Sequence, residues 1–409
     1  MNKKLYHALM ALLREIIKFE QPSDKLLSIF FYHNKKLTTQ ERTLVADVVY
    51  TVLRNYHKLN ALYQTNIPTI VAVVILHYLN YKPSYLSTIS NIDIPTIINQ
   101  EKVLNSTSNL ELPQWIIDEL QYEYTIDEIK AIAHGMNNTA PLDLRVNVTN
   151  ITYNQVFNQL NNEGLNPQTM SYSPYGIRLF NKTFLSKHKL FLDGHIEVQD
   201  ESSQIAGMLL NPKRGSMVVD FCAGAGGKTL LFGMLMRNSG RIYAFDINER
   251  RLNNLTPRLK RSGLTNVYPE LINNEQDSKI KRLYNKIDHV FVDAPCSGLG
   301  TLRRNPDIKF RQTPESINEL NQQQISILNN AAPLVKNNGY LVYATCSILK
   351  RENDDIVAKF IQDNPNFKVI DIKNIFKNQS LHNQSNYLKL LPHLHQTDGF
   401  FACLMQKTT

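Results

Sequence analysis

Residues 217–229, MVVDFCAGAGGKT, constrain this chain more than any other stretch. A β-branched apolar run ends at Asp220, glycines follow at Gly224, Gly226 and Gly227, and a periodic apolar run begins at Leu230. That order predicts a strand, a tight turn and a helix N-terminus, the arrangement that brings backbone close to a nucleotide-like ligand. Glycine suits the turn because a Cβ would forbid its backbone conformation or meet the ligand. Two phosphate-binding patterns come near and fail. A P-loop needs glycine where Cys222 stands, and a dinucleotide fingerprint needs one where Thr229 stands. A looser Gly-x-Gly turn with an acid closing the next strand fits better. Asp246 closes RIYAFD, where a carboxylate can accept both hydroxyls of an adenosine ribose. A turn kept only for packing is the competing reading.

Beyond Ser202, strand-like and helix-like segments alternate: MVVDF, TLLFGMLMR, RIYAFD, NERRLNNLTPRLKRSG, HVFVDAP, a long helix to Pro333, YLVYATC and NDDIVAKFIQ. Such alternation predicts a parallel α/β sheet with crossover helices. Pro257 is expected to kink or split its helix. From about 143 to 198, LDLRVNVTN, YGIRLF and IEVQDE read as strands beside one helix, a small α+β unit. Residues 1 to about 130 read as mostly helical. Leu5, Leu9, Leu12, Leu13, Ile16 and Ile17 recur at helical spacing, as do Leu44, Val48, Val49, Val52 and Leu53. Thr38 and Glu41 have capping-box spacing, and Pro22, Pro68, Pro83 and Pro95 punctuate the segment. The expected domains are 1–130, 131–200 and 201–409.

A chain of 409 residues exceeds one ordinary core, and 43% hydrophobic with 20% charged residues describes a globular protein. The longest apolar run, IVAVVIL at 70–76, falls well short of the roughly 20 residues that span a bilayer, and reads as a buried helix. Arg14 and Glu15 interrupt the N-terminal apolar run and no small-residue cleavage site follows, so it does not read as a leader. Four cysteines without a paired framework point to a reducing compartment, the cytoplasm. A net charge of +9 suits a polyanionic partner or simply a soluble surface. Neither a membrane nor a metal is expected to take part.

Two cysteines sit where open α/β sheets place their ligands, just past the carboxyl ends of strands. HVFVDAPCSG carries Asp293 and Cys296, and YLVYATCS carries Cys346. A lone cysteine is usually packing; two at adjacent strand ends beside a cofactor turn suggest chemistry. The combination DFCAGAGGKT, DAPCSG and ATCS resembles the bacterial RNA cytosine-C5 methyltransferases of the RsmB/Sun family. LRVN at 144–147, VQDESSQ at 198–204, RRNPDIK at 303–309 and DGFFACL at 398–404 match further landmarks. ERTLVADVVYTVLRN at 41–55 is similar to the family's NusB-like N-terminal domain.

The resemblance implies a Rossmann-like S-adenosylmethionine-dependent sheet preceded by an all-α NusB-like domain and a small α+β unit. It implies methylation of C5 of a cytosine in RNA, of the 16S ribosomal type, through a covalent adduct at C6. C5 is too poor a nucleophile to take a methyl group unaided; a thiolate adding to C6 enriches it, and must later leave, which favours cysteine. Cys346 maps onto the nucleophile, Cys296 onto the residue assisting release, and Asp293 onto both the cytosine edge and the cofactor pocket. Cys222, Ala223, Gly224, Ala225, Gly226, Gly227, Lys228 and Asp246 map onto the cofactor site. Ala225 stands where many relatives carry proline, and Asn273 is the candidate for the adenine edge. Lys228 reads either as reaching the pocket or as a helix-surface lysine. Arg303, Arg304, Lys309 and Arg311 read as a phosphate-holding run or a solvated loop. Arg42, Arg54 and His57 read as RNA contacts or a solvated helix face. Two rivals stay open: transfer RNA as the substrate, and a non-catalytic RNA-binding assembly factor on the same fold.

Overall fold

The computed structural model describes residues 1–86, 110–181, 183–376, 381 and 386–408. Pro95 lies outside them. The chain divides into two compact units, Met1–Asn138 with Thr301–Pro314, and Thr139–Gly300 with Glu315–Thr409. Among the described residues no helix is long and apolar enough to cross a membrane.

The first unit holds helices Lys3–Ile16, Ser23–His33, Thr39–Arg54, Tyr56–Tyr63, Ile67–Val73, Gln114–Leu120 and Ile126–Asn137, and no strand among its described residues, consistent with a NusB-like domain. Leu5, Leu9, Leu12, Leu13 and Ile16 bury one face of the first helix, and Leu44, Val48, Val49, Val52 and Leu53 bury one face of the third. Thr38 and Glu41 form the expected reciprocal cap. The IVAVVIL run is a core helix; it continues from Ile67–Val73 into a π-helical turn, Val74–Tyr78.

Two of the helices that begin without a local side-chain cap each take a carboxylate from distant sequence. Asp307 accepts the Ser23 backbone N–H at 3.2 Å and the Ser23 hydroxyl at 2.8 Å. Glu111 accepts the N–H groups of His57 and Lys58 at 3.0 and 3.1 Å. Carboxylates at these ends satisfy orphan N–H groups and face the positive end of the helix dipole. Phe310 packs its ring against those of Phe19, Tyr56 and His57.

Within the basic run at 303–311, Arg303, Lys309 and Arg311 are therefore taken up inside the helical unit, while Arg304 is half-buried. Arg303 and Lys309 are buried, and Arg311 pairs with Asp307 at 2.9 Å. Lys309 donates to the Arg54 carbonyl at 3.4 Å, and Arg54 to the Arg303 carbonyl at 2.9 Å. Burial pushes the Lys309 ammonium down to about 8. The run's aromatic and capping groups have partners inside the helical unit, which draws the neighbouring cations in with them. Arg42 likewise donates to the carbonyls of Phe31, Asn34, Lys35 and Leu37, closing the end of a helix.

The second unit begins with the small α+β portion. Strands β1 (Leu142–Val146), β2 (Gln168–Thr169), β3 (Gly176–Leu179) and β4 (Ile196–Val198) form an antiparallel sheet in the order β2-β3-β1-β4. With helix Tyr153–Asn162 after β1 and short helical turns before β4, this is a βαββαβ arrangement.

The large sheet comprises β5 (Met217–Asp220), β6 (Arg241–Asp246), β7 (Val267–Leu271), β8 (Ile287–Asp293), β9 (Val335–Thr345), β10 (Phe367–Ile370), β11 (Leu388–Leu390) and β12 (Phe400–Lys407). Its order is β10-β12-β9-β8-β5-β6-β7, with β11 also on β12. β5 to β9 pair in parallel, as expected; β12 runs antiparallel to β9, β10 and β11. Both faces are covered: Val219, Val290, Val292, Leu341 and Tyr343 belong to one core, and Val218, Phe291, Val342 and Ala344 to the other. That alternation is the signature of a doubly buried parallel sheet. The order reverses at β5, so the loops after β5 and β8 flank a topological switch point, where such sheets bind ligands.

Pro257 does not split its helix, which runs unbroken from Glu249 to Ser262. The one missing backbone donor is outweighed by strong ends and a buried stripe. Asn248 caps the start, Gly263 takes a left-handed φ of 73° at the end, and Leu252 and Leu255 are buried.

Candidate active site

The loops after β5, β8 and β9 enclose one cavity of about 490 Å³, within the range of small-molecule sites. Cys222, Ala223, Gly224, Ala225, Gly227, Lys228, Asp293, Cys296 and Cys346 all line it. Asp246 lines an adjoining cavity with Ile247, Ile272 and Glu275; Cys222, Arg251 and Pro295 border both. Gly226, grouped by sequence with the cofactor contacts, lines neither.

The glycine turn explains that difference. Gly224 and Gly226 have φ of 56° and 82°. A Cβ on Gly224 would meet nothing within 4 Å, whereas one on Gly226 would sit 2.1 Å from Leu255 Cδ1. Gly226 is thus glycine for helix packing, and Gly224 leaves open room in the cavity wall. The Gly224 N–H donates to Asp246 Oδ2 at 2.8 Å, and the Asn248 N–H to Asp246 Oδ1 at 2.7 Å. This carboxylate is oriented by backbone alone, leaving further lone pairs for a ligand.

Lys228 is not on a helix surface. It is buried, donates to Asp293 Oδ2 at 2.6 Å, and lies 5.0 Å from the centroid of Phe400. Asp220 escaped the sequence reading, although an acid closing the strand before a glycine turn was its signal. It is 1% exposed; its Oδ2 accepts the Thr229 hydroxyl at 2.6 Å, and its Oδ1 has no partner. Burial pushes its carboxyl up to about 7. An unpartnered carboxylate oxygen in a cavity wall calls for a cationic or donor ligand.

The sulfurs of Cys296 and Cys346 lie 3.4 Å apart. The hydrogen bond to Cys346, then burial, holds the Cys296 thiol well above its ordinary range. Burial, reinforced by Asp293 and Asp220, does the same to Cys222, so Cys222 stays a protonated wall group. Cys403 is buried in β12.

Asn273 does not reach either cavity. Its N–H and its amide both donate to Asp277 Oδ2, at 3.0 and 3.2 Å, closing a local turn. Ile247, Ile272 and Pro295 instead offer apolar surfaces and Glu275 an acceptor, a set that spacing alone could not single out. Arg145, from the LRVN landmark, lies under the turn. It is buried and donates to the Gly227 carbonyl at 2.9 Å and to Gln199.

Comparison with known proteins agrees with this geometry. A family model described as 16S rRNA methyltransferase RsmB/F matches residues 207–406, and one described as the RsmF/B-like ferredoxin-like domain matches residues 112–184. The chain is 32% identical over 298 residues to "Probable ribosomal RNA small subunit methyltransferase B" of Bacillus subtilis, covering 72% of this chain and 66% of that protein. It is 34% identical over 317 residues to a protein of the same description from Synechocystis, covering 76% and 70%. The chain thus spans about two thirds of the length of these relatives. The crystal structure of PH0851 superposes with a TM-score of 0.81 at 26% identity, over 100% of this chain and 99% of that one. A glycine turn and paired cysteines at the switch point, together with relatives at this identity and coverage, establish that the chain belongs to the RsmB/F family of ribosomal RNA methyltransferases.

Proposed function

We propose that this protein methylates C5 of a cytosine in small-subunit ribosomal RNA, using a covalent bond between Cys346 and C6 of the base. The observation that carries the reading is the pair of sulfurs 3.4 Å apart in the wall of a cavity bounded by the glycine turn. The cavity fits S-adenosylmethionine: Asp220 Oδ1 lacks a partner, Gly224 leaves open space, and Asp246 is presented by backbone N–H groups. Asp246 would accept the ribose hydroxyls, Asp220 and Gly224 would face the methionine end, and Ile247, Ile272 and Pro295 would hold the adenine. When bound, S-adenosylmethionine supplies an electrophilic methyl group.

The Cys346 thiolate adds to C6, and the electron pair of the C5–C6 bond becomes available at C5. Asp293, held by Lys228, hydrogen-bonds the amidine edge of cytosine and favours protonation at N3, which neutralises the charge that addition pushes into the ring and so activates C6. Once C5 carries the methyl group, its proton passes to solvent, the C5–H electron pair re-forms the C5–C6 double bond, and the sulfur–C6 bond breaks with its pair returning to Cys346, restoring the aromatic ring. Cys296, beside Cys346, assists this release. The base must be turned out of its stack to reach the cavity.

The test uses full-length protein, small-subunit ribosomal RNA and labelled S-adenosylmethionine, resolved by denaturing electrophoresis. Cys296→Ala should accumulate a labelled RNA adduct, and Cys346→Ala should form none while still binding cofactor. An adduct with Cys346→Ala would exchange the two roles. Absence of adduct and of methyl transfer with wild type would sink the proposal, and a trapped transfer RNA would redirect the substrate.

A further inference from the structure

The cysteine motifs share a feature outside the cavity: each cysteine is followed by a serine, and both serines converge on one buried acid. Glu352 is 0% exposed and does not line the cavity. Its Oε2 accepts the hydroxyls of both Ser297 and Ser347. Its Oε1 accepts the Ser297 N–H at 2.8 Å and the Gln324 amide at 3.0 Å. Gln324 also donates to the Pro295 carbonyl at 2.9 Å, just before Cys296. On the other side, Asn353 donates to the Ser347 carbonyl at 3.1 Å and accepts the Thr345 hydroxyl at 2.6 Å, bracketing Cys346.

Burying a carboxylate costs stability even when its hydrogen bonds are made, and an apolar side chain would fill the same space without that cost. Among the described residues Glu352 has no cationic partner. What distinguishes it is connectivity: one rigid group holds the turn after β8 and the turn after β9. Because the serine hydroxyls also accept the N–H groups of Leu299 and Leu349, they are oriented to donate toward the acid.

We propose that Glu352 is a positioning residue that sets the spacing of the Cys296 and Cys346 sulfurs by clamping the serine after each cysteine. This rests on the proposed roles of the two thiols. Without the clamp the two turns keep the bond from the Gly300 N–H to the Cys346 carbonyl at 2.9 Å and the contact between the serine hydroxyls at 3.2 Å, but lose the group that fixes both serines. A misplacement of about 1 Å in reacting groups can lower a rate roughly a hundredfold.

Two measurements test it on the full-length protein, one of which needs no methyl transfer. In the first, Glu352→Gln should lower kcat roughly a hundredfold while changing the dissociation constant for S-adenosylmethionine far less, since the acid itself lines neither cavity. Ser347→Ala, which loosens the Cys346 turn, should reduce adduct formation. Ser297→Ala, which loosens the Cys296 turn, should let adduct accumulate. In the second, diamide removes two electrons and two protons from the thiol pair, and the Cys296–Cys346 disulfide is followed by peptide mapping. The wild type should close this bond readily and Glu352→Gln should close it more slowly. The proposal is overturned if Glu352→Gln and both serine variants keep wild-type kcat and wild-type disulfide closure. If Glu352→Gln does not fold, the serine variants carry both comparisons. If wild type transfers no methyl group, the functional reading falls, and the diamide rates alone decide the clamp.

Discussion

Gly224 and Gly226 stand two residues apart in one turn, yet alanine at each should fail differently. Both have left-handed backbones, for which a Cβ costs about 1–2 kcal/mol. At Gly224 that is the whole penalty to the fold, since no atom lies within 4 Å of the added carbon. At Gly226 the carbon would sit 2.1 Å from Leu255 Cδ1 and 3.1 Å from Leu255 Cγ. Leu255 is fully buried with Ala223, Ala244 and Leu252, so it has little room to retreat. Overpacking of this kind adds ~1–3 kcal/mol. Gly226→Ala should therefore lose roughly 2–5 kcal/mol, a large share of ordinary stability, while Gly224→Ala loses only the backbone part, about 1–2 kcal/mol. Cofactor binding should invert the ranking, because the Gly224 carbon enters the cavity. Saturating cofactor at a hundred times its dissociation constant adds about 2.7 kcal/mol to a protein that binds it. Urea unfolding followed by circular dichroism, with and without S-adenosylmethionine, measures both quantities. Gly226→Ala should be the weaker alone but keep the increment; Gly224→Ala should be the stronger alone, about 1–2 kcal/mol below wild type, and lose the increment. Equal losses of stability, or an intact increment in Gly224→Ala, would refute the division of labour within the turn.

Asp220 predicts a pH dependence of cofactor affinity. Its carboxyl is raised to about 7, so the stability it contributes is complete below the ordinary carboxylate range and is lost as pH rises through 7. A cationic cofactor selects the ionised form, so affinity measured by calorimetry should climb by about tenfold per pH unit below 7 and level off above it. Asp220→Asn should flatten that rise, and a wild-type profile already flat would exclude the pairing. In the helical unit, Asp307→Ala removes the remote cap of helix Ser23–His33 and strands the Arg311 partner. It should cost about 1–2 kcal/mol, read from the fluorescence of Trp115 during urea unfolding, with cofactor affinity unchanged.

The parallel sheet, the helical N-terminal region and the small α+β unit were legible because each rests on local period and order. The convergence of Cys296 and Cys346 followed from their common place after adjacent strands. The antiparallel pairing of β12 was not legible, since a short apolar strand carries no mark of direction. The fate of Arg303, Lys309 and Arg311 was misread for a related reason. Charge in a sequence reads as surface, and only the tertiary fold reveals that Arg54, Asp307 and Glu111 receive these groups inside the helical unit. Asn273 turns toward its own neighbour, Asp277, which takes its backbone and amide donors, a local bond that spacing does not reveal. Asp220 and Glu352 were passed over because a carboxylate's burial cannot be seen in sequence, although their positions next to motif residues could have prompted the question.

The landmarks that take no part in the chemistry have a physical reason to accompany it. Arg145 donates to the Gly227 carbonyl, and Arg258 donates to the Ala225 carbonyl at 2.7 Å. Arg258 and Arg261 both pair with Glu197 on β4. Burial pushes the Arg145 guanidinium down to about 9. Removing one partner from such a buried set leaves charge uncompensated in the interior, at a cost of several kcal/mol. The carbonyls of the glycine turn are part of that set. The turn consequently cannot loosen without also disrupting the ion pairs on β4, and the small sheet, which lines neither cavity, acts as the support that keeps the cofactor cradle in one conformation.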